Sequence, residues 1–225
     1  MGRPMNRKKE VTKSLVLHSA AELFIEQGYA ETRIKDIATK AGVSYNDVFR
    51  LFGEKDSILS ELVGLVLEFQ FIKSKKVLKE YNVDKLYVYA FETVMQLYIA
   101  ESLEHIREMY LVSYSSLNSS KVIYKTMTEK LEDTFKSRLP ELETKDFYEL
   151  EIACAGIMRG YISVPCDMYF TMDRKVNKFI ETTYKLYDVE VEKINEIKEF
   201  LKQFDFKKYA KEVLDSLFEY LESRT

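Results

Sequence analysis

Tryptophan is missing from this chain, and proline (3), glycine (7), cysteine (2) and histidine (2) are scarce among its 225 residues. Few Pro and Gly leave few places for the backbone to turn sharply, and no Asn-Gly or Asp-Gly hairpin signal occurs, so long helices with short connections are expected. Two cysteines twelve positions apart, Cys154 and Cys166, offer neither a CxxC pair nor a disulfide framework; a reduced, cytoplasmic setting is the expectation. With only His18 and His105, and without HExxH, GxSxG or a glycine-rich phosphate loop, no catalytic or metal constellation can be assembled, so no cofactor and no enzyme is expected. The basic N-terminus has no apolar run behind it, unlike a signal peptide. The most apolar stretch, near 150–170, is interrupted by Glu151, Arg159 and Asp167, too often for a membrane span.

What is present is a helical chain with charge unevenly placed. The net charge is −3, yet residues 1–60 carry ten Lys/Arg against eight Asp/Glu, leaving −5 for the rest. That is the sign expected of a nucleic-acid-binding end joined to an acidic body. Residues 1–12 read as a flexible basic arm, a candidate for the minor groove or a solubilising tail. A first helix from Thr12 or Lys13 stops at Gly28. A second, short helix is capped by Thr32 and ended by Gly42, and a third is capped by Ser44 and ended by Gly53. Two helices joined by a short turn containing Gly match a helix-turn-helix. Further helices are expected over about 55–80, 84–102, 104–115, 118–139 and 146–164, with two or three more over 173–222, broken near Asp188 and Asp205.

The stretch from Thr12 to Leu59 resembles the DNA-binding region of TetR-family transcriptional regulators. The resemblance rests on Val16-Leu17, Ala20-Ala21-Glu22-Leu23-Phe24, Gly28-Tyr29, Thr32, Ile37-Ala38, Ala41-Gly42-Val43-Ser44, Phe49, Phe52, Lys55 and Leu59, in order and without a gap. Three positions depart from the family pattern: Tyr45-Asn46 open the recognition helix, Asp47 takes a usually small site, and Phe49 replaces a frequent Tyr. The resemblance implies an all-α homodimer with a small DNA-binding domain, here 1–57, that binds a palindromic operator. A larger domain, 58–225, would bind a small molecule and dimerise. It also implies a repressor released by its ligand. The rival reading is a helical adaptor of the same fold with weak or lost operator binding.

Candidate residues follow from chemistry. Lys55, at a helix N-terminus, and Thr32 with Arg33 suit phosphate contacts. Tyr45 and Asn46 occupy the first turn of the recognition helix, where Asn can bridge adenine N6 and N7; Arg50 points towards backbone. Ser44 and Asp47 have capping-box spacing, with Val43 and Val48 as a staple, which gives the acid a role other than opposing DNA; accepting from a cytosine amine is the alternative. Phe49 reads as core, with Phe24 and Phe52. Fourteen of the sixteen tyrosines follow residue 80. Tyr87, Phe91, Met95, Tyr98, Tyr110, Tyr114, Met158 and Tyr161 are therefore candidates to line a pocket for an apolar or aromatic effector, with Arg159 facing ligand, an internal acid or a partner subunit. The small-residue face Ala153, Gly156 and Gly160 is the candidate dimer seam, paired with Val213, Leu217 and Tyr220 of the last helix.

Overall fold

The computed structural model describes residues 4–224, with side chains from residue 9 onward. Eleven helices and no strand are found among the described residues. They are α1 (Pro4–Gln27), α2 (Ile34–Lys40), α3 (Tyr45–Phe52), α4 (Lys55–Leu78), α5 (Lys85–Ser102), α6 (Glu104–Ser113), α7 (Leu117–Phe135), α8 (Thr144–Ser163), α9 (Met172–Leu186), α10 (Val191–Leu201) and α11 (Phe206–Glu222). The expected all-α class and its order of helices are what the chain adopts.

Local signals set most boundaries. Gly28, Gly42 and Gly53 all have positive φ, a conformation in which a side chain is strained, and each ends a helix or its turn. Asp84, Ser116, Thr171 and Asp205 cap α5, α7, α9 and α11 by accepting from backbone N–H groups. The first helix differs from expectation. It starts at Pro4 rather than Thr12, so residues 4–12 of the expected arm continue α1, while residues 1–3 lie outside the described residues. Proline is tolerated in a first helical turn, and Arg7, Lys8, Lys9 and Glu10 are good helix formers, so nothing there stops the helix.

Two cores form. The smaller joins Val16, Ala20, Phe24, Ile37, Val48, Phe52, Ile58 and Leu62 with Leu217 and Leu221 of the last helix. The expected boundary at residue 57 therefore falls inside α4, whose first turns belong to the N-terminal core. The larger core is built around α5, apolar on nearly every side and buried from Leu86 to Ala100 except at Tyr87, Val88 and Tyr98. Helices α4, α6, α7, α8, α9, α10 and α11 all pack on it. None of the described helices is long and apolar enough to cross a membrane.

Candidate functional site

The turn between α2 and α3 presents α3 at the surface. Val48 and Phe52 face the core, while Tyr45, Asn46, Phe49 and Arg50 face outward. Ser44 caps α3: its Oγ accepts from the Asp47 N–H at 3.1 Å and donates to Asp47 Oδ2 at 2.6 Å. Asp47 Oδ1 accepts from Arg50 Nη2, also at 2.6 Å. The acid is thus held between the cap and the next turn of its own helix, neutralised by Arg50. Its charge sits in the first turn, where the helix dipole favours it.

Phe49 corrects the sequence reading. It is 56% exposed rather than core, its ring stacked on Tyr45 with centroids 6.2 Å apart and planes 15° apart. The Phe24 ring that was expected to receive it packs on Tyr29 instead. Residues 45 and 49 are one turn apart, so their rings meet on the outer face. Spacing alone placed Phe49 near Phe52, but 49 and 52 fall on opposite sides of the boundary between surface and core.

The expected phosphate contacts divide. Arg33 is exposed and is the N-cap of α2, its N–H donating to Asp36 Oδ2 at 2.9 Å. Thr32 is neither that cap nor an outward hydroxyl. It is 1% exposed, and its Oγ1 donates to the Gly28 carbonyl at 2.7 Å and accepts from Gln27 Nε2 at 3.2 Å. Lys55 is also turned inward: its ammonium donates to the carbonyls of Tyr29 and Thr32 and stands over the Tyr29 ring. Burial lowers the Lys55 pKa, with Glu108 and Glu31 opposing. Burial, then Asp56 and Glu54, push the Tyr29 phenol up to about 12. Lys55 thus fastens α4 to the loop before α2 rather than standing free for a phosphate.

The helix-turn-helix is tied to the larger domain at two places. On α6, Glu108 accepts from the N–H groups of Tyr29 (3.2 Å) and Ala30 (2.9 Å). His105 Nδ1 lies 2.8 Å from the Ile25 carbonyl, which can only accept, so Nδ1 carries the proton. Gly28 makes this approach possible: a Cβ there would sit 2.7 Å from Glu108 Oε2. At the start of α7, Asn118 and Ser119 donate to Glu54 and Asp56, at the start of α4.

Between these ties lies an apolar cavity, partly open to solvent. Its walls come from α1 (Ala21, Ile25), α4 (Leu59, Leu62, Val63, Val66, Leu67), α6 (Ile106, Met109, Tyr110, Ser113), α11 (Leu214, Leu217), and single turns of α5 and α7. It therefore sits at the junction with the helix-turn-helix, nearer to it than the sequence reading placed the effector site. A second, smaller and more polar cavity lies beyond Gln96, between α5, α7 and α8.

Of the expected lining, Tyr110 borders the larger cavity, and Tyr114 and Met158 border the smaller. Phe91 and Met95 are core, Phe91 among Phe204, Phe206 and Tyr209. Tyr87 packs on Phe200, Tyr98 on Phe206, and Tyr161 on Phe170 and Phe179. Arg159 is exposed, so no buried partner is required. The apolar wall of α4 that lines the cavity has the residue types of an ordinary core stripe, and nothing in them distinguishes the two. The expected dimer seam also divides. Ala153, Gly156 and Gly160 are exposed on α8, but Val213 and Leu217 are buried inside the subunit and Tyr220 packs on Phe69. The last helix packs on α1, α4 and α5 of its own subunit.

Comparison with known proteins agrees with this geometry where it reaches. Residues 16–62 match the family model described as bacterial regulatory proteins, tetR family. The HTH-type transcriptional repressor Rv3405c of Mycobacterium tuberculosis (strain ATCC 25618 / H37Rv) is 42% identical over 66 residues, 29% of this chain and 33% of that protein. The uncharacterized HTH-type transcriptional regulator YezE of Bacillus subtilis (strain 168) is 34% identical over 64 residues, 28% of this chain and 33% of that protein. The chain matches only about a third of the length of these curated relatives. Over most of the fold, the crystal structure of RolR in complex with resorcinol is similar with a TM-score of 0.67 at 16% identity, covering 87% of this chain and 96% of that one; what they share is the architecture. What these comparisons show for this chain is an N-terminal helix-turn-helix similar to that of the tetR family of bacterial regulatory proteins.

Proposed function

We propose that this chain is a ligand-responsive transcriptional regulator, a repressor that binds a palindromic operator as a homodimer and is released by a small molecule. The observation that carries the reading is the place of the larger cavity. Its walls include α1 and α4 on the DNA-binding side and α6 on the other, so one ligand touches both domains at once.

A molecule filling that space displaces α6 or α4. Movement of α6 pulls on the Glu108 hold on Tyr29 and Ala30, and movement of α4 pulls on Lys55. Either turns the helix-turn-helix relative to its body. In a dimer the two recognition helices must match half-sites about 34 Å apart, so a small tilt is enough to lose one of them. Ligand and operator binding are then coupled reciprocally, typically by about 1–3 kcal/mol. The exposed face of α8, with Ile152, Ala153, Gly156 and Gly160, is the dimer seam this reading favours. Neither glycine has a neighbour within 4 Å of where a Cβ would stand, so a second helix has room to approach.

Tyr45, Asn46, Phe49 and Arg50 would meet the major groove, with Arg33 on phosphate. The direct experiment is fluorescence anisotropy of the full chain against DNA from upstream of its own gene, at two salt concentrations. A regulator that neutralises several phosphates weakens steeply as salt rises. Flat, weak binding to every duplex would instead establish the helical adaptor.

A further inference from the structure

Two buried oxygens on the walls of these cavities have no hydrogen-bond partner. They are Tyr110 Oη, of a residue that lines the larger, apolar cavity, and Glu151 Oε2, of a residue that lines the smaller one. Glu151 is 3% exposed, on a helix whose other buried residues are Phe147, Cys154, Ala155, Met158 and Ile162. A buried polar atom left unpaired costs free energy, so native proteins seldom keep one without a use.

One residue is common to the two spaces. Gln96 borders both, with Thr93 of the same helix on the smaller cavity and Ile99 on the larger. Gln96 Nε2 donates to the Tyr114 hydroxyl at 2.6 Å. That uses an acceptor site on Tyr114 and leaves its O–H free to donate. The smaller cavity therefore offers a phenol that donates and, beside it, a carboxyl group with no partner.

The lining excludes other polar ends. No Lys, Arg or His borders either cavity, so a carboxylate or phosphate would be buried without a counter-charge. A cation would have to ionise Glu151, whose carboxyl burial holds protonated, its pKa well above the usual carboxylate range. A carbonyl accepts only and leaves an acceptor unmet. A hydroxyl both accepts and donates.

We infer that the effector is a neutral, largely apolar molecule ending in a hydroxyl, its apolar body between α4 and α6 and its hydroxyl held by Glu151 and Tyr114. This rests on the reading of the larger cavity as the effector site, and it names the chemistry that site selects.

The test is calorimetric titration of the full chain with 4-butylphenol, butylbenzene and 4-butylbenzylamine. One buried hydrogen-bonded group is worth about tenfold in affinity, so 4-butylphenol binds at least that much tighter than butylbenzene. Glu151→Leu and Tyr114→Phe each remove most of that advantage, whereas Glu151→Gln, which keeps a donor and an acceptor, retains most of it. Circular dichroism melting checks that each variant is folded, and Tyr114→Phe carries the test if Glu151→Leu is not. The assignment is overturned if butylbenzene matches 4-butylphenol, if the amine binds most tightly, or if the phenol's advantage survives in both Glu151→Leu and Tyr114→Phe. Binding of none of the three compounds overturns the cavity reading itself, which separates that failure from a wrong polar end.

Discussion

Lys55 and Tyr29 are joined twice: the Lys55 ammonium donates to the Tyr29 carbonyl at 2.6 Å and lies 4.1 Å from the centre of the Tyr29 ring. A second bond, to the Thr32 carbonyl at 2.8 Å, places the cation between α4 and the loop that feeds α2. The same loop is held from the other side by Glu108. Residues 29–32 are therefore held from both sides, by Lys55 of α4 and Glu108 of α6.

Lys55 and Arg33 should behave oppositely on substitution. Lys55→Met removes two charge-assisted hydrogen bonds and lowers stability by about 1–3 kcal/mol, read as a drop in urea midpoint. Arg33→Ala leaves the midpoint within about 0.5 kcal/mol. If Arg33 meets phosphate, it lowers the slope of log affinity against log salt by about one.

Phe49→Ala should leave stability within about 0.5 kcal/mol, because the ring is exposed; the same change in a core costs about 3–5 kcal/mol. Operator affinity should fall by about five- to tenfold, through the loss of apolar contact with thymine methyl groups. A large fall in thermal midpoint would return Phe49 to the core.

Glu108→Ala leaves the N–H groups of Tyr29 and Ala30 without their acceptor. Hydrogen exchange at those two amides should quicken by about tenfold or more, the equivalent of one lost hydrogen bond. With 4-butylphenol as probe, the ratio of operator affinities without and with ligand should move towards one. An unchanged ratio would remove α6 from the coupling.

Stability should decline with pH through Glu92. Its carboxyl is 1% exposed, and burial raises its pKa from 4.5 to about 7 against the opposing pull of Lys130. Between those values the folded chain holds a proton that the unfolded chain has released, so stability falls as pH rises through the window and levels off above it. The loss attributable to this group is roughly 3 kcal/mol. Urea midpoints at pH 5 and pH 8 should differ by less in Glu92→Gln than in the unsubstituted chain. Glu151 contributes with the same sign in both, so the difference between them isolates Glu92.

Much of the fold could be read because its signals are local. Ser44 is three residues before Asp47, a spacing that fixes where α3 begins, and Gly28, Gly42 and Gly53 take backbone angles that end helices. The breaks at Asp188 and Asp205 fall where expected, the first with positive φ and the second as the cap of α11. The site was less legible. Thr32 and Lys55 have residue types suited to phosphate, and only the approach of the Gly28, Tyr29 and Thr32 carbonyls turned them inward. Phe49 and Phe52 are alike in type, and only the packing of α3 on α1 and α4 decided which is buried.

The sequence by itself determined the class, the order of the helices and the helix-turn-helix, since caps, glycines and apolar period act over a few residues. The tertiary structure decided what lies between the helices. The cavity is a gap where α1, α4, α6 and α11 meet without filling the space, and each wall is an ordinary apolar face of its own helix. The last helix, whose apolar stripe suited a dimer seam, was claimed by the N-terminal core through Leu217 and Leu221, because burial goes to whichever face is nearest once the chain is folded.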